Sequence, residues 1–171
     1  MRKLRRPAYR ALVITHVAVS VSWLGLSLGL LVLGLWATTT ADPASRYAAV
    51  AAAATLAGTI AVPIGATALA TGVWLMLGTR WSIAYTWVLV KLVATAVTFA
   101  LTVFLLRPGL AEAAAGLDPR HLQALDGQIL AGPIVSSSVY LGATILSYVK
   151  PWGRRGARVP APAPVPARSG R

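Results

Sequence analysis

Apolar and polar positions along the chain separate into four long apolar stretches, Ala11 to Trp36, about Thr55 to Thr79, Tyr85 to Leu106 and Leu130 to Val149. Each is long enough to cross a hydrocarbon core about 30 Å thick, which takes roughly 20 helical residues. The pattern predicts an all-α bundle of four transmembrane helices with up-down topology. The membrane domain spans residues 11–149, preceded by a basic N-terminus (1–10) and followed by a tail (150–171). The second stretch has the least defined start, because the weakly apolar run Ala48 to Ala54 precedes it. Pro63, inside that stretch, predicts a local kink.

Polar residues within the stretches are striped. Positions i, i+4, i+7 and i+11 share one helix face, which selects His16, Ser20, Trp23 and Ser27 in the first span and Lys91, Thr95, Thr98 and Thr102 in the third. The fourth contributes Ser137, Tyr140 and Thr144. Hydroxyls placed this way hydrogen-bond within or across helices of a bundle, at about 1 kcal/mol or less each. Small residues mark packing seams: Gly58, Gly65 and Gly72 recur every seven residues, and Gly25 and Gly29 form a GxxxG pair. These seams would serve a homo-oligomer as well as a monomer.

His16 and Lys91 are the titratable residues inside the spans. Each lies six residues into a helix entering from the same side, counted from Arg10 and Tyr85, or about 9 Å at 1.5 Å per residue. Two readings stay open. In one, Lys91 snorkels back to the surface and His16 is a satisfied structural residue. In the other, His16, Ser20, Trp23, Lys91 and Thr95 line a small polar cavity, since intramembrane ionisable groups are functional candidates by default. No carboxylate lies in any span to complete a proton or cation relay.

The charge confirms the class and sets an orientation. The 171 residues are 57% hydrophobic and 12% charged, with a net charge of +12, where soluble domains are about a quarter charged. With the N-terminus inside, Arg2, Lys3, Arg5, Arg6, Arg10, Arg80, Lys150, Arg154, Arg155, Arg158, Arg168 and Arg171 all fall on one face. The opposite face carries Arg46, Arg107 and Arg120 with all the acids, Asp42, Glu112, Asp118 and Asp126. Both termini are therefore expected in the cytoplasm of a multi-pass cell-membrane protein. The lipid bilayer is the expected partner, anionic headgroups included, and nucleic acid is not. Trp36 and Tyr47 on one side, and Tyr9, Trp81, Tyr85, Trp87, Tyr148 and Trp152 on the other, fit interfacial belts. The first span exceeds the 7 to 15 apolar residues of a signal peptide and is expected to be retained.

Two regions outside the spans have local signals. In Leu117-Asp118-Pro119-Arg120-His121-Leu122, Asp118 suits an N-cap, Pro119 the first helical position, and Leu117 a staple onto Leu122. A short surface helix is expected there. The Pro, Ala and Arg-rich tail has nothing from which to build a core and is expected to be disordered.

Chemistry is largely excluded. Gly25-Leu26-Ser27-Leu28-Gly29 matches G-x-S-x-G, but a nucleophile elbow needs a strand, a strained turn and acid and His partners, all absent from a mid-span helix. A bis-histidine haem would need a second intramembrane His, which only a dimer pairing two His16 side chains would supply. Cysteine is absent, and two His and two Met make a poor soft-metal set. No enzyme activity, cofactor or metal is expected. The leading expectation is a non-enzymatic structural or partner-binding membrane component. The alternative is a small transporter or ligand-binding protein using His16 and Lys91 for a metal or an anionic solute.

"HVAVSVSWLG", "TGVWLMLGTRWSIAYTWVLVKL" and "LSYVKPWGRRG" resemble an uncharacterised family of actinobacterial integral membrane proteins, a domain of unknown function, over roughly residues 11–156. The likeness rests on His16 with Trp23-Leu24-Gly25, Thr71-Gly72, Trp87 with Lys91-Leu92, and Lys150-Pro151 with Gly153. It implies a fold and a location without an activity. A weaker likeness, in His16, Trp87 and Lys91, is to the membrane domain of copper-resistance proteins, whose further metal-ligand candidates are missing here.

Overall fold

A computed structural model describes residues 5–78, 84–125 and 127–152. Arg2, Lys3, Arg80, Trp81, Asp126 and the tail beyond Trp152 lie outside the described residues. So do the expectations attached to them.

Among the described residues the chain forms four apolar helical spans, each long enough to cross a membrane. The first is α1 (Arg6–Thr39), 34 residues or roughly 50 Å at 1.5 Å per residue, so its ends extend past a 30 Å core. The second is continuous from Pro43 to Gly78: α2 (Pro43–Leu56), a wider π turn at Ala57–Ala61, and α3 (Val62–Gly78). The third joins α4 (Thr86–Leu101) through a π turn at Thr102–Leu106 to α5 (Arg107–Gly116). The fourth is α6 (Gln128–Val149).

Three local departures from expectation have physical causes. The second span starts at Pro43 because alanine is the best helix former, so the Ala48 to Ala54 run is helix despite its weak hydropathy. Prolines at positions 63 and 108 lack an N–H and crowd the carbonyl four residues back; in each case the preceding turn widens to π geometry. The expected helix at Asp118 is absent. Asp118 instead closes a turn, accepting from the Arg120 backbone N–H at 2.8 Å and pairing with His121 Nδ1 at 2.9 Å. Leu117 packs into the core rather than stapling to the exposed Leu122.

Helix ends follow capping chemistry. Asp42 caps α2 through the Ser45 N–H at 2.9 Å, and Lys150 ends α6 in the left-handed region at φ 48°, just before Pro151. The Ser45 hydroxyl and backbone N–H hold the Asp42 carboxyl below its ordinary value. The cap therefore contributes in full above the ordinary carboxylate pKa near 4 and is lost as pH falls through the lowered value. Hydrogen exchange at Ser45 and Arg46 is expected to speed up in Asp42→Ala at neutral pH, and in the wild type only on acidification below that range.

Core packing is uneven along the bundle. The apolar core gathers at the far end, where Leu30, Ala37, Val50, Ala53, Ala57, Leu110 and Ile129 pack together. Toward the end where α1 begins and α6 finishes, here the terminal end, a smaller cluster of Trp23, Ala68 and Tyr140 closes the core. Beyond it lies open space.

Candidate functional site

That space is a cavity of about 340 Å³ among α1, α3, α4 and α6. His16, Ser20, Trp23, Lys91 and Thr95, the five residues selected by the stripes, all line it. The helical repeat explains why: α1 and α4 each turn one polar face inward, and the two faces meet across the bundle axis. Trp87, placed by sequence in an interfacial belt, is buried and lines the same cavity; Tyr9, Trp36, Tyr47, Tyr148 and Trp152 are exposed.

His16 is held from the second span. Its Nδ1 lies 3.1 Å from the Ala68 carbonyl and 3.0 Å from Thr71 Oγ1. A carbonyl only accepts, and the Thr71 hydroxyl donates to the Thr67 carbonyl at 2.7 Å, so Nδ1 carries the hydrogen. Nε2 is left as an acceptor in the neutral ring, with no hydrogen-bond partner among the described residues. Gly72 makes room for the ring: a Cβ there would lie 3.0 Å from His16 Cε1.

Lys91 reaches toward the terminal end, where Nζ donates to Ser147 Oγ at 2.7 Å. The Ser147 hydroxyl in turn donates to the Ala143 carbonyl at 2.8 Å. Thr95 donates to the Lys91 carbonyl at 2.8 Å and leaves its lone pairs free. Among the described residues no carboxylate lines the cavity. Among the described residues no group of His, Cys, Asp and Glu could hold a metal ion.

The glycines divide. Gly65 receives Phe99 and Trp23, each 2.7 Å from where a Cβ would stand, and Gly72 receives His16. Gly25, Gly29 and Gly58 have nothing within 4 Å among the described residues, so no described helix of this chain packs closely on them. Periodicity identifies a face and leaves open whether a neighbour covers it. Close approaches at Gly34, to Leu130, and Gly132, to Leu106, were not singled out by spacing.

Two hydrogen-bond partners of these residues lie outside the polar stripes selected by spacing. Ser147 sits one step beyond Ser137, Tyr140 and Thr144 on the same stripe, so extending the series would have found it. Thr71 precedes Gly72, but its reach across to His16 depends on how α1 and α3 pack.

No family model, curated protein or solved structure matches the chain. Fold and site define the class by themselves: among the described residues, four membrane-length apolar helical spans around a cavity. Its distinguishing feature is an amine and an imidazole facing that cavity with no acid among the described lining residues.

Proposed function

We propose that this is a non-enzymatic membrane protein that binds a small organic anion in the His16 and Lys91 cavity. One observation carries the reading: the Lys91 amine ends in a cavity with no acid among its described lining residues, so an anionic ligand would supply the counter-charge it lacks there. The walls are mainly Val, Leu, Ala and aromatic side chains, which suits a ligand with an apolar body and few polar groups. His16 Nε2 adds a requirement. An acceptor beside an anion favours a ligand that also brings a hydrogen-bond donor, as a hydroxy acid does. The excess of Lys and Arg near the chain ends supports both termini in the cytoplasm of the cell membrane, so the cavity opens to the cytoplasmic side. The basic ends would also attract anionic headgroups.

Lactate, propionate and chloride distinguish the terms when added to detergent-purified protein. A ligand at 100 times its dissociation constant stabilises by about 2.7 kcal/mol. Lactate is expected to raise the melting temperature more than propionate, and chloride least. Lys91→Met is expected to abolish the response, and His16→Phe to remove the preference for lactate over propionate. Equal responses to all three anions, unchanged in Lys91→Met, would sink the proposal. A stoichiometric protein partner that binds wild type and Lys91→Met alike would support a structural component instead.

A further inference from the structure

A second cavity, of about 550 Å³, lies nearer the far end, lined by Thr98, Thr102, Leu106, Gly132 and Ser136, with Glu112 as its charged residue. Its relation to the first is close. On α4 the lining passes from Thr95 in one cavity to Thr98 in the other; on α6 it passes from Tyr140 to Ser136. Each step is about one helical turn, roughly 5 Å. What separates the cavities is a single layer of side chains.

All four spans contribute to that layer. Trp23 of α1 packs on Tyr140 of α6 with ring centroids 4.2 Å apart, and edge-on to Phe99 of α4 at 5.9 Å. Trp23 and Phe99 both seat in the notch at Gly65 of α3. The Tyr140 hydroxyl and Ser137 Oγ are buried here without a hydrogen-bond partner. Thr102 neighbours the Tyr140 hydroxyl and gives its own hydrogen to the Thr98 carbonyl at 2.9 Å, so toward Tyr140 it can act only as an acceptor. Buried hydroxyls without a well-made bond are costly. A layer that wets when it opens satisfies them.

We propose that the two cavities are the vestibules of one polar passage across the membrane, closed in this conformation by Trp23, Phe99 and Tyr140, with Tyr140 as the residue that opens it. Swinging the Tyr140 ring out of the layer joins the hydroxyl row Thr95, Thr98, Thr102, Ser136 and Ser137 to both vestibules. The Tyr140 and Ser137 hydroxyls then donate to water or solute in transit. The π turn at Thr102–Leu106 borders the second vestibule, and such turns recur at functional sites. The passage goes beyond ligand binding and does not depend on it; only the nature of the solute, a small hydroxy acid, rests on the preceding reading.

The chain contains no cysteine, so single cysteines can be placed in the full-length protein and labelled with a charged, membrane-impermeant methanethiosulfonate. Labelling is run in spheroplasts and in inverted vesicles. Ser20→Cys, in the first vestibule, is expected to react from one face of the membrane, and Ser136→Cys, in the second, from the other. Val97→Cys, which is 54% exposed on α4 and lines neither cavity, reports lipid contact and is expected not to react. Adding Tyr140→Ala is expected to make each vestibule cysteine reactive from both faces, at least tenfold faster than before from the closed one. Tyr140→Phe keeps the ring and is expected to preserve the sidedness. Should Tyr140→Ala fail to fold, Phe99→Ala opens the same layer. The proposal is overturned if both cysteines react from the same face, if either is inert from both, or if a folded layer variant keeps its sidedness. Sided labelling in a protein that ignores lactate would retain the passage and discard the hydroxy acid.

Discussion

Replacing Gly65 by valine is expected to collapse the folded protein, lowering its melting temperature steeply and broadening its gel-filtration peak in mild detergent. A Cβ at this position would stand 2.7 Å from both Phe99 Cδ2 and Trp23 Cζ2, distances that no pair of carbon atoms tolerates. Trp23 has little room to retreat, because it is held between Phe99 and Tyr140. Overpacking of this kind costs about 1–3 kcal/mol, occasionally more, and valine adds two further methyl groups. Gly58 provides the control. It lies seven residues earlier on the same periodic series but has nothing within 4 Å, so Gly58→Val is expected to leave the melting temperature within a degree or two. Equal losses at both positions would mean that the aromatic notch is not what makes Gly65 a glycine.

Truncating Trp23 to alanine should have the next largest effect. The side chain is 4% exposed and touches both rings of the layer. Phe or Trp to Ala changes in soluble cores cost about 3–5 kcal/mol, part from transfer to water and part from the cavity left behind. In a bilayer the transfer part largely disappears, since the unfolded reference is also apolar. A loss toward the lower end of that range is expected, measured by unfolding in detergent or bicelles. Trp23→Phe, which keeps the aromatic contact, should recover much of it. If Trp23→Ala matched the wild type, the layer would contribute no more than lipid does.

The span count was legible because hydrocarbon imposes one requirement, about 20 apolar residues with every backbone group satisfied internally, and four stretches meet it. The span limits were less legible. Hydropathy says where lipid is tolerated, whereas the helix runs as far as the backbone allows, through the alanine run and past two prolines. The Asp118 segment contains a cap and a Pro at the right spacing, yet its side chain bonds to a local backbone N–H in a turn, an alternative that Asp offers equally well.

The site shows the same division. The striping of His16, Ser20, Trp23, Lys91 and Thr95 is a property of the helical repeat and can be read from spacing alone. The glycine series obeys the same repeat, but only Gly65 and Gly72 face a neighbour, as the rotation of each helix in the bundle is set by its packing partners. Phe99 carries no polar or small-residue signal, so its place beside Trp23 was invisible before the helices were assembled.

The sequence by itself therefore determined a four-span helical membrane protein with one polar face on each of three spans, because chain length, hydropathy and helical period act locally. Tertiary structure alone decided that the terminal-end parts of those faces converge on one cavity, that His16 hangs from Ala68 and Thr71 while Lys91 reaches Ser147, and that an aromatic layer lies between this cavity and a second. Such contacts join residues 50 or more positions apart, and in lipid they rest on close packing and hydrogen-bond geometry rather than on hydrophobicity, which distinguishes no partner from any other.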